Sequence, residues 1–412
     1  MHSPEVVREP IMATDTAARV ARVGAAVGVL GVLLAVALGV SEGDGMRHFF
    51  WAYLVAFAFV FTLTLGGMFF VLIQHVTGAK WSVTVRRLGE FTMNTVPLLI
   101  VLALPFLYPL FTHNGVEEFG GLLWPWIHAH GEHAELVEHK SPFLNAPFFV
   151  GRMVFYFVIW MVISRFFMKR SLLQDTDRDP AYPHTVKMRK IAAPSIIAFA
   201  LTISFAAFDW LMSTDPVWFS TIFGVYIFAG CVLAIHSWLV LCAVFLQKRG
   251  HMTKLVNAEH YHDLGKFMLA FTIFWAYIAF SQFMLIWYAN IPEETWWFHH
   301  RITDAWSGWS YMLIASNFAI PFFGLLSRHV KRNKMALAFW AVYTLIVHFI
   351  DLYWLVMPNM NSEVNPFGLM DVMIVIGLFG FFVFAFARQA TKSSILAYGD
   401  PKLNDCVAHV NY

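Results

Sequence analysis

The sequence predicts an all-α integral membrane protein of ten transmembrane helices, and three observations carry that prediction. Hydrophobic residues make up 59% of the 412-residue chain and charged residues only 13%, against about a quarter in ordinary soluble domains. Ten apolar runs are each long enough to cross a hydrocarbon core of about 30 Å. All but four of the 28 lysines and arginines fall on one side of those runs, as cytoplasmic loops do. For most of this chain the solvent is therefore lipid.

The runs lie at about 21–40, 49–74, 88–111, 146–168, 191–211, 218–246, 264–289, 304–326, 335–357 and 367–388. A polar N-tail, 1–18, precedes Arg19 and Arg22. No small-residue cleavage site follows the first run, so it is expected to stay as a helix rather than leave as a signal peptide. Small residues in the first two helices, Gly66-Gly67 among them, suit close helix packing. The basic side holds Lys80, Arg86 and Arg87, the loops 169–190, 248–254 and 328–334, and the C-tail 391–412. The opposite side holds only Arg47, Lys140, Arg152 and Arg301. Both tails are thus expected in the cytoplasm, flanking one membrane domain over 19–390. Between the fifth and sixth runs, Asp215-Pro216 breaks the helix, because proline disfavours α geometry in the residue before it. Trp210 and Trp218 flank this turn and are expected at the membrane–water boundary.

Short matches recur in order along the chain. Arg87-Leu88-Gly89-Glu90-Phe91 opens the third helix and Asp263-Leu264-Gly265-Lys266-Phe267 the seventh. Ile163-Ser164-Arg165 ends the fourth and Leu326-Ser327-Arg328 the eighth. Asp209-Trp210-Leu211-Met212 ends the fifth, and Asp351 with Trp354-Leu355-Val356-Met357 ends the ninth. Helices 2–5 (about 49–211) and 6–9 (about 218–357) therefore look like parallel copies of one four-helix unit. Helices 1 and 10 are peripheral. Such repeats also occur in secondary transporters, which makes a stand-alone transporter an alternative. Transporters usually break helices at mid-membrane, and here the interruptions are few: Pro97, Pro105 and Pro321.

Ionisable groups inside lipid are costly and usually functional or paired. The candidates are His236 in helix 6, His348 and Asp351 in helix 9, Gln282 in helix 7 and Asp209 at the end of helix 5. Asp263, Lys266 and Glu90 stand at the cytoplasmic mouth. At ~1.5 Å per residue, His236 and His348 lie about 18 and 21 Å from the inner boundary, so they are expected at one level. Three readings stay open. His236, His348 and Asp351 form part of a proton path, because histidine titrates near neutrality; or the two histidines ligate a b-type haem; or they are interhelical hydrogen-bonding groups. The His260-Tyr261-His262-Asp263 cluster at the inner mouth of helix 7 is expected as a wet helix start capped by Asp263, with proton collection as the alternative. In loop 112–145, His128, His130 and His133 follow His-x-His-x-x-His, a weak metal pattern. The three cysteines, Cys231, Cys242 and Cys406, form no C-x-x-C or C-x-x-C-H motif, which argues against an iron–sulfur cluster or covalent haem in this chain. Walker A, nucleophile-elbow and HExxH sequences are absent as well, and a net charge of +2 points to no nucleic acid.

Several stretches carry a resemblance: Phe208-Asp209-Trp210-Leu211-Met212-Ser213, Tyr261-His262-Asp263-Leu264-Gly265-Lys266 and Phe274-Trp275-Ala276-Tyr277-Ile278-Ala279-Phe280-Ser281-Gln282. Others are Trp287-Tyr288-Ala289-Asn290-Ile291-Pro292 and Tyr353-Trp354-Leu355-Val356-Met357-Pro358. Over about 45–370 the chain resembles the smaller ten-helix membrane subunit of bacterial alternative complex III, a quinol:electron-acceptor oxidoreductase, in the polysulfide-reductase-type (NrfD-like) family. The resemblance implies a place in the bacterial cytoplasmic membrane. It implies partners: a multihaem cytochrome c subunit, an iron–sulfur subunit, a larger paralogous membrane subunit, small membrane subunits and, in some assemblies, a terminal oxidase. Haem c and iron–sulfur clusters then belong to the partners and none to this chain. Quinol is a ligand of the complex, with direct quinone binding by this chain as an alternative, and proton conduction is the expected contribution. On that reading the chain is not catalytic alone.

Overall fold

The structure, a computed structural model, describes residues 9–43, 46–112, 122–128, 134–177 and 179–411. Every regular element among them is helical. Ten helices are long and apolar enough to cross a membrane: α1 (Thr14–Glu42), α2 (Arg47–Thr77), α3 (Val83–Phe111), α4 (Ala146–Thr176), α5 (Pro183–Thr214), α6 (Phe223–Lys248), α7 (Ala258–Ala289), α8 (Ala305–Leu326), α9 (Lys334–Asn359) and α10 (Leu369–Ala390). Both described tails lie at one end of the bundle, where Ile395 N–H donates to Ile11 O at 3.0 Å. This is called the tail end, and the opposite end the hairpin end.

Several helices outrun their apolar stretch. α1 begins at Thr14, inside the expected N-tail, and α4 and α5 run on to Thr176 and from Pro183, so most of the polar 169–190 segment is helix rather than loop. Hydropathy marks where apolar solvent ends, whereas a helix continues while its residues favour it and a cap is absent. The start of α7 shows the opposite control. Asn257 Oδ1 accepts from the Glu259 and His260 amides, and Asn257 N–H donates back to His260 Nδ1 at 3.1 Å. This reciprocal cap starts the helix six residues before Asp263, so Asp263 is not the cap. α6 starts later than expected, at Phe223.

The proline interruptions are real. α3 loses regular α geometry at Asn94–Thr95, just ahead of Pro97, and again in a 3₁₀ turn, Leu104–Phe106, around Pro105. In α8 a π segment, Ala315–Ala319, precedes Pro321. A ring without an N–H cannot complete the ladder, and the backbone adjusts locally.

α2 and α6 form the centre. Within their most apolar windows 89% of residues are buried, against 22–50% in the other eight helices. α2 packs on α3 and α5, and α6 packs on α7 and α9. α2 and α6 also pack on each other, and each meets the other's helix: α5 lies on α6 and α9 on α2. Close approach at the centre depends on Gly66, where an added Cβ would meet the Cys231 carbonyl. α1 packs mainly along α10 at the periphery, through Gly31 and Gly377, whose backbones leave no room for a Cβ.

The two ends are closed by chain that hydropathy leaves unassigned. At the hairpin end, Trp124 and Trp126 fold over the end of α5, donating to Trp210 O and Ser213 Oγ. Trp210 and Trp218 are therefore interior residues, 2% and 3% exposed, rather than rings at a water boundary. Trp218 stacks on Trp297 at 4.4 Å, in a short helix, Pro292–His299, that crosses this end. At the tail end the C-tail is docked. Asp400 pairs with Arg86 at 2.6 Å, Gly399 N–H donates to Asp175, and Cys406 Sγ donates to Trp81 O at 2.9 Å. Burial by itself would raise the Asp400 carboxyl, but the Arg86 guanidinium and the Lys402 amide outweigh it and hold the group below the usual carboxylate range.

Candidate functional site

Asp351, in the last turns of α9, is 1% exposed. Tyr226 of α6 donates its hydroxyl to Oδ1, and Trp275 of α7 donates Nε1–H to Oδ2 at 3.0 Å. Both donors are neutral, and among the described residues no Lys, Arg or His forms an ion pair with the carboxyl. A buried carboxyl without a cation is the arrangement in which gaining and losing a proton costs least rearrangement of neighbouring charge.

From Asp351 a polar seam runs between α6 and α9 towards the tail end. On α9, Thr344, His348 and Asp351 are spaced i, i+4, i+7 and so share one face. On α6 they meet Ser237, Gly230 and Tyr226. Ser237 Oγ and Thr344 Oγ1 are 2.7 Å apart. A Cβ on Gly230 would stand 2.6 Å from His348 Cε1, so only glycine leaves room for the imidazole. His348 Nε2 lies 2.9 Å from Thr62 Oγ1 of α2. From Tyr226 to Ser237 the seam covers about 16 Å at the helical rise.

His236 is elsewhere. Its Nδ1 donates to Val232 O at 2.7 Å, and its ring stacks on Phe267 at 4.8 Å with Phe70 at its edge. With Nδ1 protonated, Nε2 carries the lone pair, and it is buried without a hydrogen-bond partner. His348 seats at Gly230, six residues or about 9 Å further along α6. The expected common level does not hold: counting residues from each helix end ignores how the two helices are staggered. The two imidazoles share no described neighbour that would place both on one haem.

The expected cytoplasmic-mouth residues are paired. Glu90 is fully buried between Arg86 (3.3 Å) and Arg87 (2.9 Å), and Arg87 also reaches Asp175 at 2.8 Å. Glu90 is thus the centre of an ion-pair network, not an open carboxylate. Asp263 pairs with Lys266 at 2.5 Å and with His409 at 2.7 Å; Lys266 is about half exposed. Gln282 lies towards the hairpin end, where its Oε1 accepts from Ser220 Oγ at 3.0 Å. Asp209 is held by Arg152 through two 2.8 Å hydrogen bonds and by the Tyr156 hydroxyl at 2.6 Å.

Composition reasoning missed Tyr226, Trp275, Ser237 and Thr344. The i, i+4, i+7 spacing on α9 was the available signal. Arg152 and Arg301 registered only as charges on the sparse side, yet both are buried. His130 and His133 lie outside the described residues, and His128 closes a one-turn 3₁₀ helix. Among the described residues no group of three His, Cys, Asp or Glu side chains is placed to hold a metal ion.

No family model matches the chain, and no curated protein matches it.

Proposed function

We propose that this chain is a membrane subunit of a quinol:electron-acceptor oxidoreductase of the alternative complex III type, carrying protons rather than electrons. The observation that supports this most is Asp351: a buried carboxyl between two neutral donors, at the head of a polar seam between α9 and α6, one of the two central helices. The tail end faces the cytoplasm, on the distribution of lysine and arginine, and Asp351 lies at the hairpin-end head of the seam. Electrons stay in the partners: a multihaem cytochrome c, an iron–sulfur subunit and a larger paralogous membrane subunit. This subunit adds a docking surface and a route for protons through the outer half of the bilayer.

The proposal includes a duplication of α2–α5 as α6–α9. The ordered sequence matches motivate it, and the packing agrees with it: α3 and α5 flank α2 as α7 and α9 flank α6, and each central helix meets the last helix of the other unit. In that alignment Asp209 corresponds to Asp351.

The test is Asp351→Asn in the assembled complex, reconstituted in vesicles and driven by a soluble quinol analogue. Asparagine still accepts one hydrogen bond but cannot take up a proton. The expected result is normal assembly with fewer protons moved per electron. An unchanged proton-to-electron ratio would sink the reading.

A further inference from the structure

A cavity of about 620 Å³ opens at the hairpin end between α7 and α8. It exists because the two helices diverge. α7 packs against the second half of α8, from the π segment at Ala315 to Leu326, whereas the first half, Asp304–Ile314, leans on α9. The mouth of the cleft faces sideways, between Tyr277, Phe280, Tyr311 and Ile314, which are 61–73% exposed. Its walls are almost wholly apolar and descend along α7 from Phe283 to Ile273, about 15 Å at the helical rise. Small residues, Ala276 and Ala279 on α7 and Ser307 on α8, keep the slot open.

The head of the slot is different. Arg301 lies there, 0% exposed, its guanidinium stacked over Trp297 at 3.3 Å. Its two terminal nitrogens donate to neutral oxygens, Trp297 O, Leu355 O and Asn359 Oδ1. Its Nε–H is buried and has no hydrogen-bond partner among the described residues. Burial presses this guanidinium well below its ordinary range, with Asp215 acting in the opposite sense from a distance. An isolated buried cation is costly unless an anion compensates it. The described residues supply no carboxylate in contact, unlike Arg152, Arg86 and Arg87.

We propose that this cleft is a binding site for one anionic glycerophospholipid, with an acyl chain in the slot between α7 and α8 and a phosphate or ester oxygen accepting from Arg301 Nε–H. The orientation decides between occupants. Arg301 stands just before the span of α8 begins and beside the last residues of α9, where the apolar spans end and a lipid head group would lie. The apolar slot then runs inward as an acyl chain does. The slot wall includes Tyr226 and Trp275, the two donors to Asp351, so the bound lipid would lie against the side chains that hold that carboxyl. The site itself does not depend on the proton reading.

The test uses the complex reconstituted in phosphatidylcholine vesicles with a minor amount of spin-labelled phosphatidylglycerol or, in parallel, spin-labelled phosphatidylcholine. The wild-type complex should immobilise the anionic label with about a tenfold preference. Arg301→Gln should bring that preference near unity. Ala279→Phe, which fills the slot without touching Arg301, should remove the immobilised lipid while the protein keeps its thermal midpoint, which guards against a misfolded Arg301 variant. Equal retention of both labels, or an anionic preference unchanged by Ala279→Phe, would overturn the proposal. Recovery of one isoprenoid quinone per complex that Ala279→Phe expels, with no phospholipid displaced, would overturn it too, as would a partner's helix seated in the cleft.

Discussion

Asp209 and Asp351 stand near the hairpin-end termini of α5 and α9, are equally buried, and are each bonded by a tyrosine, yet their settings differ in kind. Asp209 has a guanidinium in a two-bond fork and a cation stacked between rings, since Arg152 also lies 3.8 Å from the Phe143 ring centroid. Asp351 has an indole and a phenol. The neighbouring face differs as well. Three residues before Asp351 α9 carries His348, whereas three before Asp209 α5 carries Ala206; seven before each stands a threonine, Thr344 and Thr202, the latter accepting from Trp160. A carboxylate forked by a guanidinium is an ion-pair strut between α4 and α5, whereas the Asp351 carboxyl is held between α6 and α7 by neutral donors alone.

The tail-end motifs show the same divergence in reverse. Arg87 with Glu90 and Asp263 with Lys266 are i, i+3 ion pairs of opposite polarity. The first is sealed in a network of five charged side chains with Arg86, Asp175 and Asp400; in the second Asp263 is buried and touched by the C-tail through His409, and Lys266 is about half exposed.

The contrast can be broken by substitution. The largest effect is expected from Arg152→Gln, which leaves Asp209 buried without its cation, at a cost of about 3–5 kcal/mol. Thermal unfolding of the solubilised protein would show it, and Asp209→Asn in the same chain should recover much of the loss. Failure of that rescue would mean the pair is not a strut. Gly230→Ala is next, at about 1–3 kcal/mol, because the new methyl group must displace His348. An unshifted midpoint would show that the seam is loosely packed. Thr344→Val should cost about 1 kcal/mol, the worth of a buried hydroxyl's hydrogen bonds, and should slow proton uptake while leaving electron transfer intact; unaltered uptake would take Thr344 out of the route.

The smallest effect concerns the tail. Asp400 is held below its ordinary pKa, so its contribution is present above its unfolded value near ~3.9 and is lost as pH falls through the lower folded value. Acidification below about pH 4 should therefore loosen 395–411 before the bundle, seen as faster hydrogen exchange there. Asp400→Asn should speed alkylation of the buried Cys406 at neutral pH. Equal alkylation rates would show that Arg86 does not hold the tail.

The sequence by itself determined the ten helices, their shared length scale and the division of the charges, because apolar length and lysine–arginine asymmetry are local properties that lipid reads directly. It also marked Asp351 and His348 as costly. Only the tertiary structure decided which titratable groups are paired. Arg152 finds Asp209 across 57 residues and Arg86 finds Asp400 across 314, and no periodicity announces either. Nor could a hydropathy profile place Trp210 and Trp218 inside, since their cover comes from distant parts of the chain: Phe61 of α2 and Trp160 of α4 for the first, Trp297 for the second. Whether a buried charge is a strut or a proton carrier depends on what stands within 3 Å of it, and that is settled by packing between helices rather than along them.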